Sequence, residues 1–252
     1  MNDPLLSGDD LGPGVSPGPS SSSLFGDRLE LASAYAELLV TDGVTRGLIG
    51  PREAPRIWER HLDNCAVLSE KIDIGASVVD VGSGAGLPGI VLAVARPDLR
   101  ITLVEPLARR TAFLDEAVDH LGLSSTVTVV RGRAEEVRLE PADVVTARAL
   151  APLDRLAGWC LPLAAVGGRV LALKGSSATD EVAEHAEAVR SLGGSEPVVL
   201  QCGVGVIEPP TTVVEIVRER VVVPSRSPAP PGAKGRASGD GRGSGRRRTR
   251  RG

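Results

Sequence analysis

Four glycines fall within eight residues of the stretch Val79-Asp80-Val81-Gly82-Ser83-Gly84-Ala85-Gly86-Leu87-Pro88-Gly89. A β-branched run precedes them and a helical pattern follows. Glycine tolerates positive φ and lets a ligand approach the backbone without meeting a Cβ, so the stretch reads as a strand turning into a helix beneath a nucleotide-like molecule. The backbone entropy that four glycines lose on folding argues against a turn kept for chain geometry alone. Asp80 stands just before the bend. Glu105 closes the next β-branched run about twenty residues on, where its two acceptor oxygens would suit the hydroxyls of a ribose. After a third such run, Arg131 to Glu136 places backbone N–H groups and acids where a purine edge would be read.

Two cofactor classes fit this pattern. Read from Gly84 through Gly86 to Gly89, the spacing matches the G-x-G-x-x-G of dinucleotide sites, in which a pyrophosphate sits on the free N–H groups of a helix start. S-adenosyl-L-methionine instead brings a sulfonium cation, beside which the Asp80 carboxylate attracts where it would repel a pyrophosphate. The acid therefore favours the methyl donor, and a nicotinamide-dependent oxidoreductase stands as the alternative.

The elements that must position these residues follow from periodicity. Short β-branched runs alternate with helical stretches from Ser77 onward, the signature of βαβ units about a parallel sheet. Strands are expected at 77–81, 100–105, 126–131, 143–147 and 169–174, with helices at 88–95, 107–121, 153–160 and 178–192 between them. Two further strands, 197–201 and 211–220, are too close together for a parallel crossover and should pair as an antiparallel hairpin, completing a seven-stranded sheet. Ahead of the sheet, Phe25, Leu29, Ala32, Ala36 and Leu39 recur at helical spacing, and a second helix opens at Pro55 with Ile57, Trp58, Leu62, Cys65 and Leu68 on one side. These two form a cap. His61, on the same stripe, reads as a hydrogen-bonded core histidine.

Between Leu11 and Ser23, eleven of thirteen residues are Gly, Pro or Ser, too few apolar groups to offset ordering entropy. Residues 1–23 are therefore expected to be a disordered arm, 24–75 the helical cap, 76–223 the α/β domain, and 224–252 a disordered basic tail. The chain of 252 residues has a net charge of −3, but from Lys234 to Gly252 eight basic residues face one acid, so a tail of +7 leaves the rest at −10. Six arginines lie between Arg242 and Arg251, a polyelectrolyte arm suited to phosphates. No apolar run of membrane-spanning length and no secretion signal occurs, so a cytoplasmic protein is expected. Cys65, Cys160 and Cys202 lack disulfide or zinc spacing and read as buried small residues, and no histidine–carboxylate set suggests a metal. Five aromatics are too few for a base-stacking platform.

Taken together, Asp80–Ile90 (DVGSGAGLPGI), Gly132–Glu136 (GRAEE), Thr146–Leu150 (TARAL), Ala172–Gly175 (ALKG) and the upstream Trp58–Asn64 (WERHLDN) resemble the bacterial small-subunit ribosomal RNA methyltransferase family called RsmG or GidB. The resemblance spans roughly Leu24 to Glu219. It implies a class I methyltransferase, a Rossmann-like α/β fold on the seven-stranded sheet, that places a methyl group from S-adenosyl-L-methionine on N7 of a guanosine in 16S ribosomal RNA. It also implies that Gly82, Leu87, Ala134, Glu135 and Arg148 contact the cofactor, beside the Asp80, Gly84 and Glu105 read from the pattern itself. Arg133, Arg148 and Lys174 are the basic residues it places near the reacting base.

The residue inventory agrees with that chemistry. An exocyclic-amine methyltransferase needs an Asn/Asp-Pro-Pro-aromatic motif after the fourth strand, where this chain reads Thr146-Ala147-Arg148-Ala149-Leu150. A pyrimidine-carbon methyltransferase needs an activated thiolate, and no cysteine has a neighbouring pattern for one. Guanine N7 has a free lone pair and no proton, so alignment suffices and no general base is required. Arg148 is expected to touch both cofactor and base, with Arg133 and Lys174 holding the RNA and no residue acting as acid or base. A monomer acting on the small ribosomal subunit is expected. A non-enzymatic RNA-binding module retaining the loop is the remaining alternative.

Overall fold

The computed structural model describes residues 16–148 and 150–222. Residues 1–15 of the expected arm and all of the expected basic tail lie outside that range. Within it, order begins earlier than composition predicts. Helix α1 (Pro19–Phe25) opens on a proline at its first position, where the missing N–H is no loss. Its serines are held by distant groups: Ser20 Oγ donates to the Val206 carbonyl at 2.7 Å, and buried Ser21 Oγ donates to Asp63 Oδ2 at 3.0 Å. Phe25 meets Trp58 edge to face with ring centroids 6.0 Å apart. Hydroxyls with remote partners thus order a stretch that local composition leaves without a core.

Helix α2 (Leu29–Leu38) widens into a π-turn at Leu39–Gly43. The second cap helix is broken into a 3₁₀ turn at Ala54–Arg56, a π-turn at Trp58–Leu62, helix α3 (Asp63–Ala66) and a 3₁₀ segment at Val67–Lys71. Its apolar side survives the breaks, since Ile57, Trp58, Leu62, Cys65 and Leu68 are all buried.

The sheet comprises β1 (Ser77–Val81), β2 (Arg100–Glu105), β3 (Val127–Arg131), β4 (Ala142–Arg148), β5 (Ala164–Leu173), β6 (Val198–Cys202) and β7 (Thr211–Val217), in the order β3-β2-β1-β4-β5-β7-β6. β1 pairs in parallel with β2 and β4, β2 with β3, and β4 with β5. The predicted hairpin forms, and β7 inserts between β5 and β6, antiparallel to both. β5 starts at Ala164 instead of Arg169, because the Gly167-Gly168 pair that reads as a break is an irregularity in the β4–β5 register.

Alternate residues divide the core. Val78, Ile101, Leu103, Leu171 and Leu173 pack with α4 (Gly89–Ala95), α5 (Ala108–His120) and the cap. Val79, Val81, Val104, Val145 and Val170 pack with α6 (Leu153–Cys160) and α7 (Ala178–Ser191). The cap therefore shares one continuous core with the sheet. Strand order reverses between β1 and β4, the place where open α/β sheets receive ligands beyond the carboxyl ends of their strands. Val81, Glu105, Arg148 and Leu173 mark those ends. Among the described residues no helix is long and apolar enough to cross a membrane.

Candidate active site

The glycine turn leaves β1 through Gly82 at φ +71°, with Gly84 and Gly86 also at positive φ. Space as well as conformation demands glycine at two places. A Cβ on Gly82 would stand 2.6 Å from Leu150 Cδ1, and one on Gly86 would stand 2.8 Å from Tyr35 Oη. Tyr35 reaches across from α2 and donates to the Ala85 carbonyl at 2.7 Å, so the cap braces the turn. Burial holds the Tyr35 hydroxyl well above its ordinary pKa, and it remains a donor.

The N–H groups of the turn are largely consumed within the protein. Gly82 and Ser83 donate to the Val104 carbonyl, Gly86 and Leu87 to the Ser83 carbonyl, Gly84 to Glu105 Oε2 and Gly89 to Asp80 Oδ2. A diphosphate requires a row of unengaged N–H groups, and this turn does not present one.

Asp80 lies beneath the turn, fully buried. Its Oδ2 accepts the Gly89 N–H at 3.0 Å, while Oδ1 has no hydrogen-bond partner among the described residues. Burial raises its pKa to about 7, against the Gly89 hydrogen bond that favours the charge, while Ser83 Oγ donates to the Asp80 main-chain carbonyl at 2.9 Å. Cavity-lining residues do not include it.

Two cavities open at the carboxyl ends of the strands. The smaller, about 320 Å³, lies between β1, β2 and the loop after β3. Gly82, Glu105, Arg133, Ala134 and Glu135 line it together with Leu107, Leu150 and Trp159. Glu105 is buried and held in place: Oε1 accepts the Leu107 N–H and Oε2 the Gly84 N–H, each at 3.0 Å, with Arg110 Nη1 at 3.6 Å. Each carboxylate oxygen keeps a further lone pair for a ligand hydroxyl. A fixed acceptor pair among apolar walls suits a ribose joined to a flat base.

The larger cavity, about 930 Å³, lies on the other side of Leu150, which lines both. Arg148 and Lys174 are on its wall. The Arg148 guanidinium is anchored by the cap: Nη2 donates to the Arg60 carbonyl at 3.1 Å and to His61 Nδ1 at 2.8 Å, and Nη1 approaches Cys65 Sγ at 3.5 Å. Arginine only donates, so His61 Nδ1 must accept and its proton sits on Nε2, which faces Glu53 Oε2 at 3.1 Å. Burial and the Arg148 charge lower the His61 pKa to about 4, keeping the ring neutral. Lys174 Nζ is nearly buried, donating to the Ala151 carbonyl at 2.7 Å and Glu181 Oε2 at 2.6 Å.

The structure thus brings Gly82, Glu105, Arg133, Ala134 and Glu135 to one cavity and Arg148 and Lys174 to the next. Asp80, Gly84 and Leu87 line neither: Asp80 and Gly84 shape the turn from within, and Leu87 is buried behind it. Arg148 reaches the larger cavity but not the smaller, because its head is drawn toward the cap. Leu150, Trp159 and Tyr35 were not picked out from the sequence: Trp159 and Tyr35 have no motif around them, and Leu150 closes the Thr146–Leu150 motif as an apolar residue with no chemistry of its own. Trp159 is stacked by Arg155 at 5.1 Å. Cys65, Cys160 and Cys202 are buried free thiols, and burial pushes the Cys65 pKa up to about 11. Among the described residues no group of three or more His, Cys, Asp or Glu side chains is placed to hold a metal ion.

The sheet order and the position of the cavities define a class I methyltransferase fold. The solved mitomycin 7-O-methyltransferase MmcR shares it at a TM-score of 0.52 and 20% identity, over 80% of this chain and 69% of that one. The family model described as GidB, rRNA small subunit methyltransferase G, matches residues 28–206, and the chain belongs to that family. Relatives named ribosomal RNA small subunit methyltransferase G include one from Salinispora tropica, 70% identical over 82% of this chain and 88% of the relative. Another, from Salinispora arenicola, is 68% identical over 89% of this chain and 94% of the relative.

Proposed function

We propose that the chain transfers a methyl group from S-adenosyl-L-methionine to N7 of a guanosine in the 16S RNA of the small ribosomal subunit. The observation that supports this most is the pair of cavities meeting at Leu150 above a closed glycine turn, one with a fixed acceptor pair at Glu105 and the other with cations. In this reading Glu105 holds the ribose, Ala134 and Glu135 border the adenine, and Gly82 lets the cofactor backbone approach the turn. When bound, the cofactor supplies a methyl group made electrophilic by its sulfonium. The consumed N–H groups speak against the nicotinamide alternative.

On the RNA side, the N7 lone pair attacks in line without losing a proton, so the protein's task is alignment. Arg148 has two of its five N–H donors left after Arg60, His61 and Cys65 take theirs, and these address O6 of the guanine while N7 stays free. Lys174, with one donor left, orients the RNA beside it. Exposed Arg133 at the rim of the smaller cavity takes a phosphate.

Small subunits from a strain lacking the modification, incubated with labelled methyl donor, should acquire label on a single guanosine, located by mapping the subunit RNA. Label on an exocyclic amine, or none, would sink the reading. Near-normal turnover by Lys174→Ala would remove Lys174 from it.

A further inference from the structure

Every charged side chain on the wall of the larger cavity has a partner, with one exception among the described residues. Glu53 is engaged by His61 and Arg60, Lys174 by Glu181, and Arg155 lies over Trp159. Arg148 is anchored by the cap, and His185 lies 3.9 Å from Glu184. Asp154 has neither an ion pair nor a hydrogen bond, and its Oδ1 is shielded from water without a donor. It sits in the first turn of α6, whose helix dipole makes a negative charge tolerable, but no side-chain cap bond forms there. Asp154 is a half-buried carboxylate on the cavity wall with its lone pairs unclaimed, and its shielded oxygen, an acceptor without a donor, carries the full loss of its hydration, so the site is incomplete.

We propose that Asp154 is the residue that selects guanine, its carboxylate accepting the N1–H and N2–H of the Watson–Crick edge while Arg148 addresses O6. This rests on the reading that a guanine enters the larger cavity. Guanine alone among the four bases offers two adjacent donors on that edge, whereas adenine would turn its N1 lone pair toward the carboxylate and be repelled. The same group favours the reaction itself. As the sulfur–carbon bond breaks and the N7–carbon bond forms, the sulfonium becomes a neutral thioether and the positive charge passes to the purine, with no proton moved. A carboxylate across the ring interacts more strongly with the cationic purine than with the neutral one, which is the condition for lowering a barrier.

The test compares small subunits assembled on RNA with guanosine or inosine at the mapped position. Inosine keeps N1–H and N7 but lacks the exocyclic amine. The unmodified enzyme should lose on the order of 10- to 100-fold in kcat/KM on inosine, the value of one hydrogen bond to a charged acceptor. In Asp154→Ala that loss should shrink to within about threefold, and in Asp154→Asn, which keeps one neutral acceptor oxygen, to a value between the two, with S-adenosylhomocysteine affinity unchanged by calorimetry as the check on folding. A penalty of equal size in enzyme and variants, or an unmodified enzyme indifferent to inosine, overturns the assignment while N7 methylation stands. Product methylated elsewhere than N7 overturns the reading of the reaction, and this assignment with it.

Discussion

Replacing Asp80 with Asn should change how stability depends on pH while leaving cofactor affinity nearly intact. The carboxyl is fully buried with one oxygen unpartnered, and its pKa in the folded protein is about 7. In an unfolded chain an aspartate ionises near 3.9. The native state therefore holds a proton that the unfolded state has already released, and Asp80 opposes folding increasingly as pH rises from about 4 to about 7. A separation of about three units at about 1.4 kcal/mol each gives a penalty on the order of 4 kcal/mol once the group is ionised, of which roughly 2 to 3 kcal/mol accrues between pH 5 and pH 8. Asparagine keeps an oxygen for the Gly89 N–H and has no charge to bury. Urea unfolding of both proteins at the two pH values should show the variant gaining about 2 to 3 kcal/mol on its parent between pH 5 and pH 8. Asp63 and His61 titrate in both proteins and cancel. A gap independent of pH would refute the reasoning. A fall of more than about tenfold in S-adenosylhomocysteine affinity would return Asp80 to direct service of the ligand, against its position beneath the turn.

Other perturbations address the remaining parts of the site. Glu105→Gln should weaken S-adenosylhomocysteine binding by about tenfold or more in calorimetry, because a charged acceptor for ligand hydroxyls is lost. Gly86→Ala should lower stability by about 2 kcal/mol or more in chemical denaturation, since its Cβ would meet Tyr35 Oη at 2.8 Å at a φ of +97°. Tyr35→Phe should cost about 1 kcal/mol by the same assay, the usual worth of one neutral hydrogen bond. His61→Ala should free Arg148 and lower turnover on small subunits by about tenfold, with S-adenosylhomocysteine affinity unchanged, and His61→Asn, which offers an oxygen near the former Nδ1, should recover part of the loss.

The sheet and its flanking helices were legible because their signals are local. β-branched runs and the 3.6-residue stripe of α5 locate themselves, and a short connection forces β6 and β7 to be antiparallel. What escaped was whatever depends on distant residues. Ser20 and Ser21 look like part of an unordered arm until Val206 and Asp63 are placed beside them. Asp80 looks like a ligand for a cation because it adjoins the glycines, yet strand alternation sets it on the face of Val78, under α4. Arg148 and Lys174 were found by type and position, but the side chains that fix their heads, His61 and Glu181, come from elements that no local pattern associates with them. Leu150, the partition between the two cavities, has no chemistry to announce it.

The bond from Tyr35 to the Ala85 carbonyl makes the amino-terminal segment a structural member of the loop fifty residues downstream. Occupancy and the folding of that segment are then thermodynamically linked. A molecule that binds only the intact bend should slow amide exchange and protease cleavage around residues 29–43, well away from anything it touches. Conversely, deleting the segment would abolish occupancy by slackening the bend, although none of the deleted atoms belongs to the pocket.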